Sequence, residues 1–294
     1  MDTLLAIANA AAGSADDAAV AIAVAALREA YDVEVVTTST PDELGVALAA
    51  HPDLHGVVVL GGDGSLHAVI TALRKAERLD LTVGLVPLGT GNDFAATLGL
   101  PDDPAVAAGV IVADHPEPID LIIDGNDQVV VNVAHIGLGA EAAIAARPLK
   151  KFLGPVGYVA GALIASVKGV ATPGAKLRIT VDGDAMMPRG GVMQLAVGNG
   201  RFVGGGAALL PEADPSDGRL DLMVTYAGRR HRRVIYAWKL SKGTQHEHAD
   251  VVYRQGSTVE VQGDALPCTS DGELTDPTTE HSWRIEPGAI RMWV

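Results

Sequence analysis

Short apolar runs alternate with longer segments rich in alanine and leucine through residues 1–125. The short runs predict strands over Thr3–Ala8, Val33–Thr37, Gly56–Leu60 and Leu81–Pro87. The longer segments predict helices over Asp16–Ala30, Pro41–Ala50, Ser65–Arg78, Asp93–Leu98 and Pro104–Ala113. Because strands and helices alternate, this order predicts an α/β domain with a doubly wound, mostly parallel sheet.

The pattern changes after Ile119, where most apolar runs are short and several are separated by tight turn dipeptides. Strands are predicted over Asp120–Ile123, Gln128–Ala134, Lys176–Asp182, Gly191–Val197, Leu220–Thr225, Asp250–Arg254, Ser257–Gly263 and His281–Glu286. Helical composition is found only near Lys151–Lys168 and His231–Lys242. Strands joined by turns such as Asp182-Gly183 predict a second, antiparallel and β-rich domain.

Composition narrows the class of protein. Hydrophobic residues make up 48% of the 294 residues but aromatic residues only 4%, a mix typical of sheets covered by helices. The one cysteine, Cys268, excludes an intrachain disulfide and fits a reducing compartment. No basic residue precedes the first apolar run, so the start is unlike a secretory signal, and we expect a cytoplasmic protein.

Charge is unevenly distributed between the two halves of the chain. Residues 1–140 carry 20 acidic and 4 basic residues, whereas residues 141–294 carry 16 acidic and 18 basic residues. An acidic first half argues against nucleic acid as a partner. The densest basic cluster, residues 229–233, is compatible both with contact to anionic headgroups at a membrane surface and with a solvated helix start.

The longest apolar stretch, Phe152–Val170, contains Pro155, Lys168 and four glycines. A membrane-spanning helix needs about 20 mostly apolar residues, so this stretch is a poor candidate. We expect a buried helix or the lining of a cleft for acyl chains instead.

A glycine-rich turn follows the predicted strand at Gly56–Leu60. It reads Gly61-Gly62-Asp63-Gly64-Ser65 and leads into a helix, whose free N–H groups and dipole favour a phosphate group. It is neither a Walker A loop nor a Gly-x-Gly-x-x-Gly fingerprint. The motif alone therefore leaves phosphate binding and a plain tight turn both open.

A second glycine turn, Gly89-Thr90-Gly91-Asn92-Asp93, follows the next strand of the predicted sheet. The carboxyl ends of parallel strands share one edge, where ligands bind, so both turns should face one ligand. An unpaired Asp63 beside Asp93 would repel a nucleotide. A divalent cation that bridges carboxylate and phosphate oxygens resolves this conflict.

These residues resemble a known family. The first turn is similar to the nucleotide loop of NAD kinases, phosphofructokinases and the diacylglycerol and sphingosine lipid kinases. The segment Pro87–Ala95 looks like the P-x-G-T-x-N-D-F-A motif of bacterial diacylglycerol kinases. Further matches follow in the family's order: Asn132 to Gly139, Gly204 to Asp221, and Asp271-Gly272-Glu273.

The resemblance implies two domains and a Mg²⁺-dependent transfer of phosphate from ATP to a lipid hydroxyl. Residues 1–124 with 278–294 would form the nucleotide-binding domain, and residues 125–277 the lipid-substrate domain. Asp271 would be the general base, with Glu273 and Asp63 beside it as further catalytic residues in a network of Mg²⁺ and water that also includes Asp217. The implied nucleotide-binding residues are Asn9, Thr38, Gly61, Gly62, Gly64, Ser65, Gly89, Thr90, Asn92 and Asp93. A structural Mg²⁺ would be held by Asp214, Asp217 and Arg219.

The sequence also departs from the family pattern. Ser65 replaces a threonine, His67-Ala68 replaces an Asn-Glu pair, and the early Asn-Pro-x-Ser-Gly motif is reduced to Asn9 and Gly13. These changes affect the expected contacts to adenine and ribose more than phosphate transfer. His246-Glu247-His248 lacks a third ligand at useful spacing for a metal, and Cys268 has no motif that marks a nucleophile.

Three functions remain open at this stage. The leading hypothesis is an ATP-dependent lipid kinase with diacylglycerol as acceptor, peripherally associated with a membrane. The second is an NAD kinase or another soluble-substrate kinase of the same superfamily. The third is a nucleotide-binding protein without catalysis, suggested by His67-Ala68. The lipid acceptor, a homodimeric state and any regulator are not identified by the sequence.

Overall fold

The computed structural model describes most of the chain, in two compact units. The described residues are 1–9, 14–137, 174–187, 189–227, 235–236, 238–240 and 242–294. The first unit contains Met1–Asp120 and Pro287–Val294, and the second contains Leu121–Glu286. The apolar stretch Phe152–Val170 and the basic cluster at 229–233 lie outside the described residues. In the described part of the chain, no helix has the length and hydropathy to cross a membrane.

A parallel sheet forms the centre of the first unit. Its strands are β1 (Thr3–Asn9), β2 (Asp32–Thr38), β3 (Gly56–Gly61) and β4 (Thr82–Pro87). Their order is β2-β1-β3-β4, and every pair is parallel. All six residues of β3 are buried, which explains why its sequence is a continuous apolar run.

Five helices accompany this sheet: α1 (Ser14–Leu27), α2 (Pro41–Ala50), α3 (Asp63–Lys75), α4 (Asp93–Leu98) and α5 (Pro104–Val112). Two of them begin at a proline preceded by a capping side chain. Thr40 Oγ1 accepts from the Glu43 N–H at 3.3 Å, and Asp103 Oδ1 accepts from Ala105 and Val106 at 2.9 and 3.1 Å. These caps explain why the proline-initiated helices were readable from the sequence.

The last residues of the chain complete the first unit. Strand β18 (Thr278–Trp293) ends beside β4, where Arg291 pairs in parallel with Thr82. The Trp293 side chain is fully buried against Gly56, where any Cβ would collide with the indole. Its Nε1 donates to Asp114 Oδ1 at 2.8 Å. The predicted strand His281–Glu286 is therefore longer than expected.

The second unit consists mainly of antiparallel strands. A six-stranded sheet has the order β14-β13-β10-β7-β16-β17, and β15 pairs with β8 and with the first part of β18. One apolar cluster draws buried side chains from both groups of strands. The bounds are β5 (Pro116–Asp124), β6 (Val129–Val130), β7 (Val133–Gly137), β8 (Leu177–Val181), β9 (Asp184–Ala185), β10 (Val192–Gly198), β11 (Phe202–Val203), β12 (Ala207–Ala208), β13 (Leu220–Tyr226), β14 (Val251–Gly256), β15 (Thr258–Leu266), β16 (Cys268–Ser270) and β17 (Glu273–Leu274).

The predicted fold class, an α/β domain with a parallel sheet plus an antiparallel β-rich domain, is confirmed. Several element boundaries differ from the prediction, and two of these differences concern the candidate site. Helix α3 begins at Asp63, because Gly62 takes the N-cap position. The predicted strand Gln128–Ala134 is divided into β6 and β7, and the interruption is explained by the candidate site below.

Candidate active site

The carboxyl ends of the four parallel strands lie at one edge of the sheet in the first unit. Asn9 at the end of β1 pairs with Thr38 at the end of β2, and Gly61 at the end of β3 pairs with Pro87 at the end of β4. The two glycine turns therefore leave the sheet side by side. This edge is where ligands bind in open α/β sheets.

The two glycine turns touch each other through their main chains. A Cβ placed on Gly62 would lie 2.9 Å from the Gly89 Cα, and one placed on Gly89 would lie 2.6 Å from the Gly62 Cα. The Leu88 N–H donates to the Gly61 carbonyl at 3.0 Å. Only glycine allows such an approach, so both positions are explained by the turn–turn contact.

Asp63 holds the second turn through its carboxylate. Oδ2 accepts from the Asp93 N–H and Oδ1 from the Phe94 N–H, both at 3.0 Å. These are the first N–H groups of α4, whose own N-cap residue, Asn92, makes no side-chain cap and has φ +52°. The sequence argument treated Asp63 as unpaired, and that premise was wrong, since Asp63 caps a helix that begins 30 residues later.

Exposed positions of the two turns offer space for a ligand. Gly64 is exposed and a Cβ there would meet no atom within 4 Å, while Thr90 and Gly91 are exposed on the neighbouring turn. The Ser65 side chain lies over Gly61, where an added Cβ would come within 2.6 Å of Oγ. The first N–H groups of α3 open at this surface, as they do at anion sites on helix N-termini.

In the second unit, Asp271 binds three main-chain N–H groups at the interruption between β6 and β7. Oδ2 accepts from Val131 at 2.7 Å, and Oδ1 accepts from Asn132 at 3.0 Å and Val133 at 3.1 Å. A carboxylate thus takes the place of a neighbouring strand, which is why the predicted strand is divided. Asp271 itself has φ +48°, in an Asp-Gly turn between β16 and β17.

The predicted base and the predicted metal turn lie along the same end of the six-stranded sheet. The Asp271 N–H donates to the Val133 carbonyl, Val133 pairs with Gly198, and Gly198 pairs with Asp221. Three strand spacings separate the ends of this row, so Asp271 and Asp221 are on the order of 15 Å apart. Glu273 is exposed one strand farther out, on β17, and does not approach the metal turn.

The turn from Asp214 to Arg219 is closed by its own side chains. Asp214 Oδ1 accepts from the N–H and the hydroxyl of Ser216, and Asp217 Oδ1 accepts from the Arg219 N–H at 2.9 Å. Asp217 Oδ2 accepts from Gln255 Nε2 at 3.0 Å. Each Asp217 oxygen keeps a second lone pair.

Comparison with known proteins places the chain in a family. Residues 3–123 match the diacylglycerol kinase catalytic domain, and residues 132–294 match the YegS C-terminal NAD kinase beta sandwich-like domain. The protein named "Probable lipid kinase YegS-like" of Stenotrophomonas maltophilia strain K279a is 32% identical, over 89% of this chain and 85% of its own length. The chain belongs to the YegS-like lipid kinase family.

Other members and a solved structure agree with this assignment. The YegS-like relative of Xanthomonas oryzae pv. oryzae strain MAFF 311018 is 34% identical over 95% of this chain and 92% of its own length. The crystal structure described as that of "a putative diacylglycerol kinase from Bacillus anthracis str. Sterne" superposes with a TM-score of 0.82, at 25% identity. It covers 99% of this chain and 96% of that chain.

The sequence analysis of this YegS-like chain assigned no role to Asp221 and Gln255. Asp221 is fully buried, and its Oδ1 accepts from Gln255 Nε2 at 3.3 Å, the same amide that binds Asp217. Burial raises the pKa of Asp221 to about 6, and the neighbouring Asp217 charge adds to the effect. Asp221 closes the quoted Asp-Gly-x-Leu-Asp motif, whereas no sequence signal marks Gln255.

A cavity of about 610 Å³ lies within the second unit, beside the hairpin that carries Asp271. Ser270 and Thr275 line it, with acidic side chains around them, but Asp271 and Glu273 do not. Its wall includes His281, which stacks on Trp283 at 5.8 Å and whose pKa is lowered by burial. The polar lining is unsuited to acyl chains.

Two residues that the sequence made weak candidates for a functional site, Cys268 as a nucleophile and His248 as a metal ligand, have structural roles instead. Burial raises the pKa of the Cys268 thiol to about 11, which is typical of an inert core cysteine. His248 is buried, and its Nδ1 accepts from the Asp250 N–H at 3.2 Å. Among the described residues, no group of three or more His, Cys, Asp or Glu side chains is arranged to hold a metal ion.

Proposed function

We propose that this YegS-like chain transfers the γ-phosphate of ATP to the hydroxyl of a lipid alcohol, and that the alcohol is diacylglycerol. The observation that carries the proposal is the pair of glycine turns joined through Asp63 at the carboxyl edge of the parallel sheet. A surface with main-chain N–H groups, no side chain at Gly64, and hydroxyl and amide groups nearby suits a triphosphate.

The two turns would bind the nucleotide as one rigid platform. Because Asp63 caps α4, its negative charge is already compensated by two N–H groups and does not face the phosphates unpaired. Asn9 and Thr38, at the neighbouring strand ends, would contact the rest of the nucleotide. Phosphoryl transfer depends on positioning and charge neutralisation, which a fixed platform supplies.

Asp271 is the proposed general base for the acceptor hydroxyl. Its Oδ1 accepts from the Asn132 and Val133 N–H groups, and its Oδ2 accepts from the Val131 N–H group. The three N–H groups fix the orientation of the carboxylate. Such a base contributes roughly 10²–10⁴-fold to the rate. Glu273 lies beside it on β17 and would extend the acidic surface.

Mg²⁺ is the proposed cation, and the residues present fit it. The turn from Asp214 to Arg219 offers an Asp217 carboxylate with free lone pairs and main-chain carbonyls of Asp214 and Arg219, which are the hard oxygen ligands that Mg²⁺ prefers. The buried Asp221 carboxylate lies close by, beside the Tyr253 hydroxyl. When bound, the ion would order this turn and neutralise its acidic side chains.

The acceptor is proposed from the relatives, whose names describe lipid kinases. The test is to incubate the purified chain with radiolabelled ATP, Mg²⁺ and diacylglycerol in detergent micelles, and to separate the lipids. We expect labelled phosphatidic acid. NAD is assayed in parallel, and a label in NADP with none in lipid would contradict the proposal.

The role of Asp271 is tested against a structural counterpart in the same chain. Asp182 also begins an Asp-Gly turn, has φ +51°, and its Oδ1 accepts from the Ser257 and Thr258 N–H groups, both at 2.8 Å. Asp271→Asn and Asp182→Asn should lose similar stability in urea. Only Asp271→Asn should lose turnover, by at least about a hundredfold. Equal turnover in the two folded variants would exclude Asp271 as the base.

A further inference from the structure

A short helical segment in the second unit has one buried and one exposed apolar side. Residues 235, 236 and 238–240 are helical. Tyr236 is 4% exposed and packs, with Leu240, into an apolar cluster on one face of the six-stranded sheet. Trp238 is 61% exposed and Ile235 is 46% exposed. Tyr236 and Leu240 anchor the segment to the sheet, and Ile235 and Trp238 are exposed to solvent.

Four residues follow a helical spacing on this side, of which three are exposed while the Lys239 side chain is only 21% exposed. Ile235, Trp238, Lys239 and Lys242 follow the i, i+3, i+4, i+7 pattern that places residues on one face of a helix. We refer to these four residues as the outer stripe. The outer stripe contains two apolar and two basic side chains. Exposing the two large apolar side chains to water is unfavourable, so their exposure requires an explanation.

The segment is fixed firmly enough to present this stripe in one orientation. The Tyr236 hydroxyl donates to Gln194 Oε1 at 2.9 Å on the inner side. At its end, the Thr244 N–H donates to the Lys239 carbonyl and the Gly243 N–H to the Leu240 carbonyl, with Gly243 at φ +68°. This is the Schellman geometry of a terminated helix.

The sequence that contains this segment is basic, whereas the chain as a whole is acidic. Between positions 229 and 242 the sequence contains six arginines and lysines and no acidic residue, in a protein with a net charge of −14. Lys239 Nζ is 3.1 Å from Glu247 Oε2, and Lys242 is exposed. Because Glu247 compensates the charge of Lys239, the exposed Lys242 is the described side chain here that attracts an anionic surface.

We propose that the outer stripe is the site at which the protein docks on an anionic phospholipid bilayer, with Trp238 and Ile235 inserted at the headgroup level and Lys242 on the lipid phosphates. The inference rests on the proposed lipid-kinase function, since a lipid acceptor is reached at a membrane. Tryptophan favours the membrane–water interface, and basic residues beside it strengthen binding to anionic lipids.

A second copy of the chain fits the stripe less well than a bilayer does. A symmetric dimer uses the same patch on both subunits, so it would bring two basic segments together. Nucleic acid is disfavoured by the acidic character of the remaining chain. A bilayer surface satisfies the apolar and the basic side chains of the stripe at the same time.

The tryptophans of this chain allow a direct test. The three tryptophans are Trp238 and the buried Trp283 and Trp293, which are 3% and 0% exposed. Vesicles of phosphatidylglycerol and bromine-labelled phosphatidylcholine, without diacylglycerol or ATP, should quench the emission of Trp238 only. The remaining emission should match that of Trp238→Phe, and quenching should weaken in high salt. Unquenched wild-type emission in vesicle-saturated samples would overturn the proposal.

Sedimentation with the same vesicles, unlabelled, gives an independent measurement. Trp238→Ala should lower the bound fraction so that the apparent affinity falls by about tenfold or more. Val46→Ala, which removes an apolar side chain that is 70% exposed in the first unit, should bind as the wild type does. Equal binding of the wild type and Trp238→Ala, or equal binding to neutral and anionic vesicles, would overturn the proposal.

The kinase assay separates this inference from the proposed function. Trp238→Ala should keep full turnover on a short-chain diacylglycerol dispersed as monomers and lose turnover on vesicle-embedded diacylglycerol. Vesicle binding through Trp238 by a protein that phosphorylates no lipid would refute the kinase proposal and support the docking surface. Equal activity of Trp238→Ala and the wild type on both substrates would count against the docking surface alone.

Discussion

Asp63 and Asp271 share a feature at the residue scale: each carboxylate binds main-chain N–H groups of a distant segment. Asp63 binds the start of α4, and Asp271 binds residues 131–133, about 140 positions earlier in the chain. Charged acceptors of this kind make stronger hydrogen bonds than neutral ones. Both aspartates therefore have an architectural role in addition to the chemical one that the resemblance implies.

Asp63→Ala separates these roles when it is compared with Asp103→Ala. Each change removes a carboxylate that accepts two helix N-terminal N–H groups, so each should destabilise the protein by about 1–2 kcal/mol in urea unfolding. Only Asp63→Ala should also weaken ATP binding in calorimetry, because it alone releases the second glycine turn. Unchanged ATP affinity in Asp63→Ala would contradict the proposal that the two glycine turns bind ATP as one rigid platform.

Cys268 provides a pH-dependent prediction. Burial raises the pKa of its thiol from 9.0 to about 11, so below about pH 9 the thiol is protonated in both the folded and the unfolded state. The stability that this shift contributes is complete there and is lost as pH rises from 9 to 11. At pH 8 the folded protein should contain about a hundredfold less thiolate than the unfolded chain and react correspondingly slowly with iodoacetamide.

The measurement is simple because this is the chain's one cysteine, so a single adduct reports on it. Native alkylation at the rate found in urea would show that the thiol is accessible and would contradict its burial in the apolar cluster of the second unit.

At the scale of elements, the sequence predicted the helix boundaries that neighbouring residues determine. It did not predict the strand interruption that a residue distant in sequence determines. The helix Pro41–Ala50 was predicted with the bounds that are found, and the start of a helix at Asp93 was predicted as well, since a proline and a polar turn mark them. The interruption between β6 and β7 could not be read from residues 128–134. Its cause is Asp271, which nothing in that stretch of sequence indicates.

The glycine turns allow a prediction with three matched substitutions. Gly89→Ala should destabilise by about 1–3 kcal/mol, because its Cβ would lie 2.6 Å from Gly62 and 2.7 Å from Asn92 Oδ1. Gly64→Ala and Gly109→Ala add a methyl group to open space in helices and should each stabilise by about 0.5–1 kcal/mol.

ATP binding then distinguishes the three variants. Gly89→Ala should lose both stability and ATP affinity, and Gly109→Ala should keep its affinity. Gly64→Ala should become more stable yet bind ATP more than about tenfold less tightly, because its methyl group would occupy the proposed phosphate position. Full ATP affinity in Gly64→Ala would show that the phosphates do not bind at this turn.

At the scale of the whole molecule, the alternating pattern of residues 1–125 and the later run of strands were sufficient for the fold class. The site was predictable only in parts. The residues of each glycine turn were identified, but their main-chain contact is set by tertiary packing and has no local signal. The partnership of Gln255 with Asp217 and Asp221 was missed for the same reason. The assignment of Asp271 and Glu273 to catalysis stays a prediction.

Trp293→Ala tests how much the first unit depends on the last strand. The indole is fully buried and hydrogen-bonded to Asp114, so its removal should destabilise by about 3–5 kcal/mol and weaken ATP binding. Trp238→Ala, at an exposed position, should change stability by less than about 0.5 kcal/mol. Urea unfolding followed by circular dichroism measures the stability of both variants. Equal unfolding midpoints for Trp293→Ala and Trp238→Ala would show that the first unit does not depend on its last strand.

The position of Trp293 has a consequence for synthesis. A ribosome that has released residues 1–120 has not yet made the strand that pairs with Thr82, so a nascent chain carries the two glycine turns on a sheet whose β4 edge is still unpaired. At about 5–20 residues per second, that state lasts on the order of ten seconds or more. We expect newly made chains to acquire affinity for ATP only after residues 287–294 have been made.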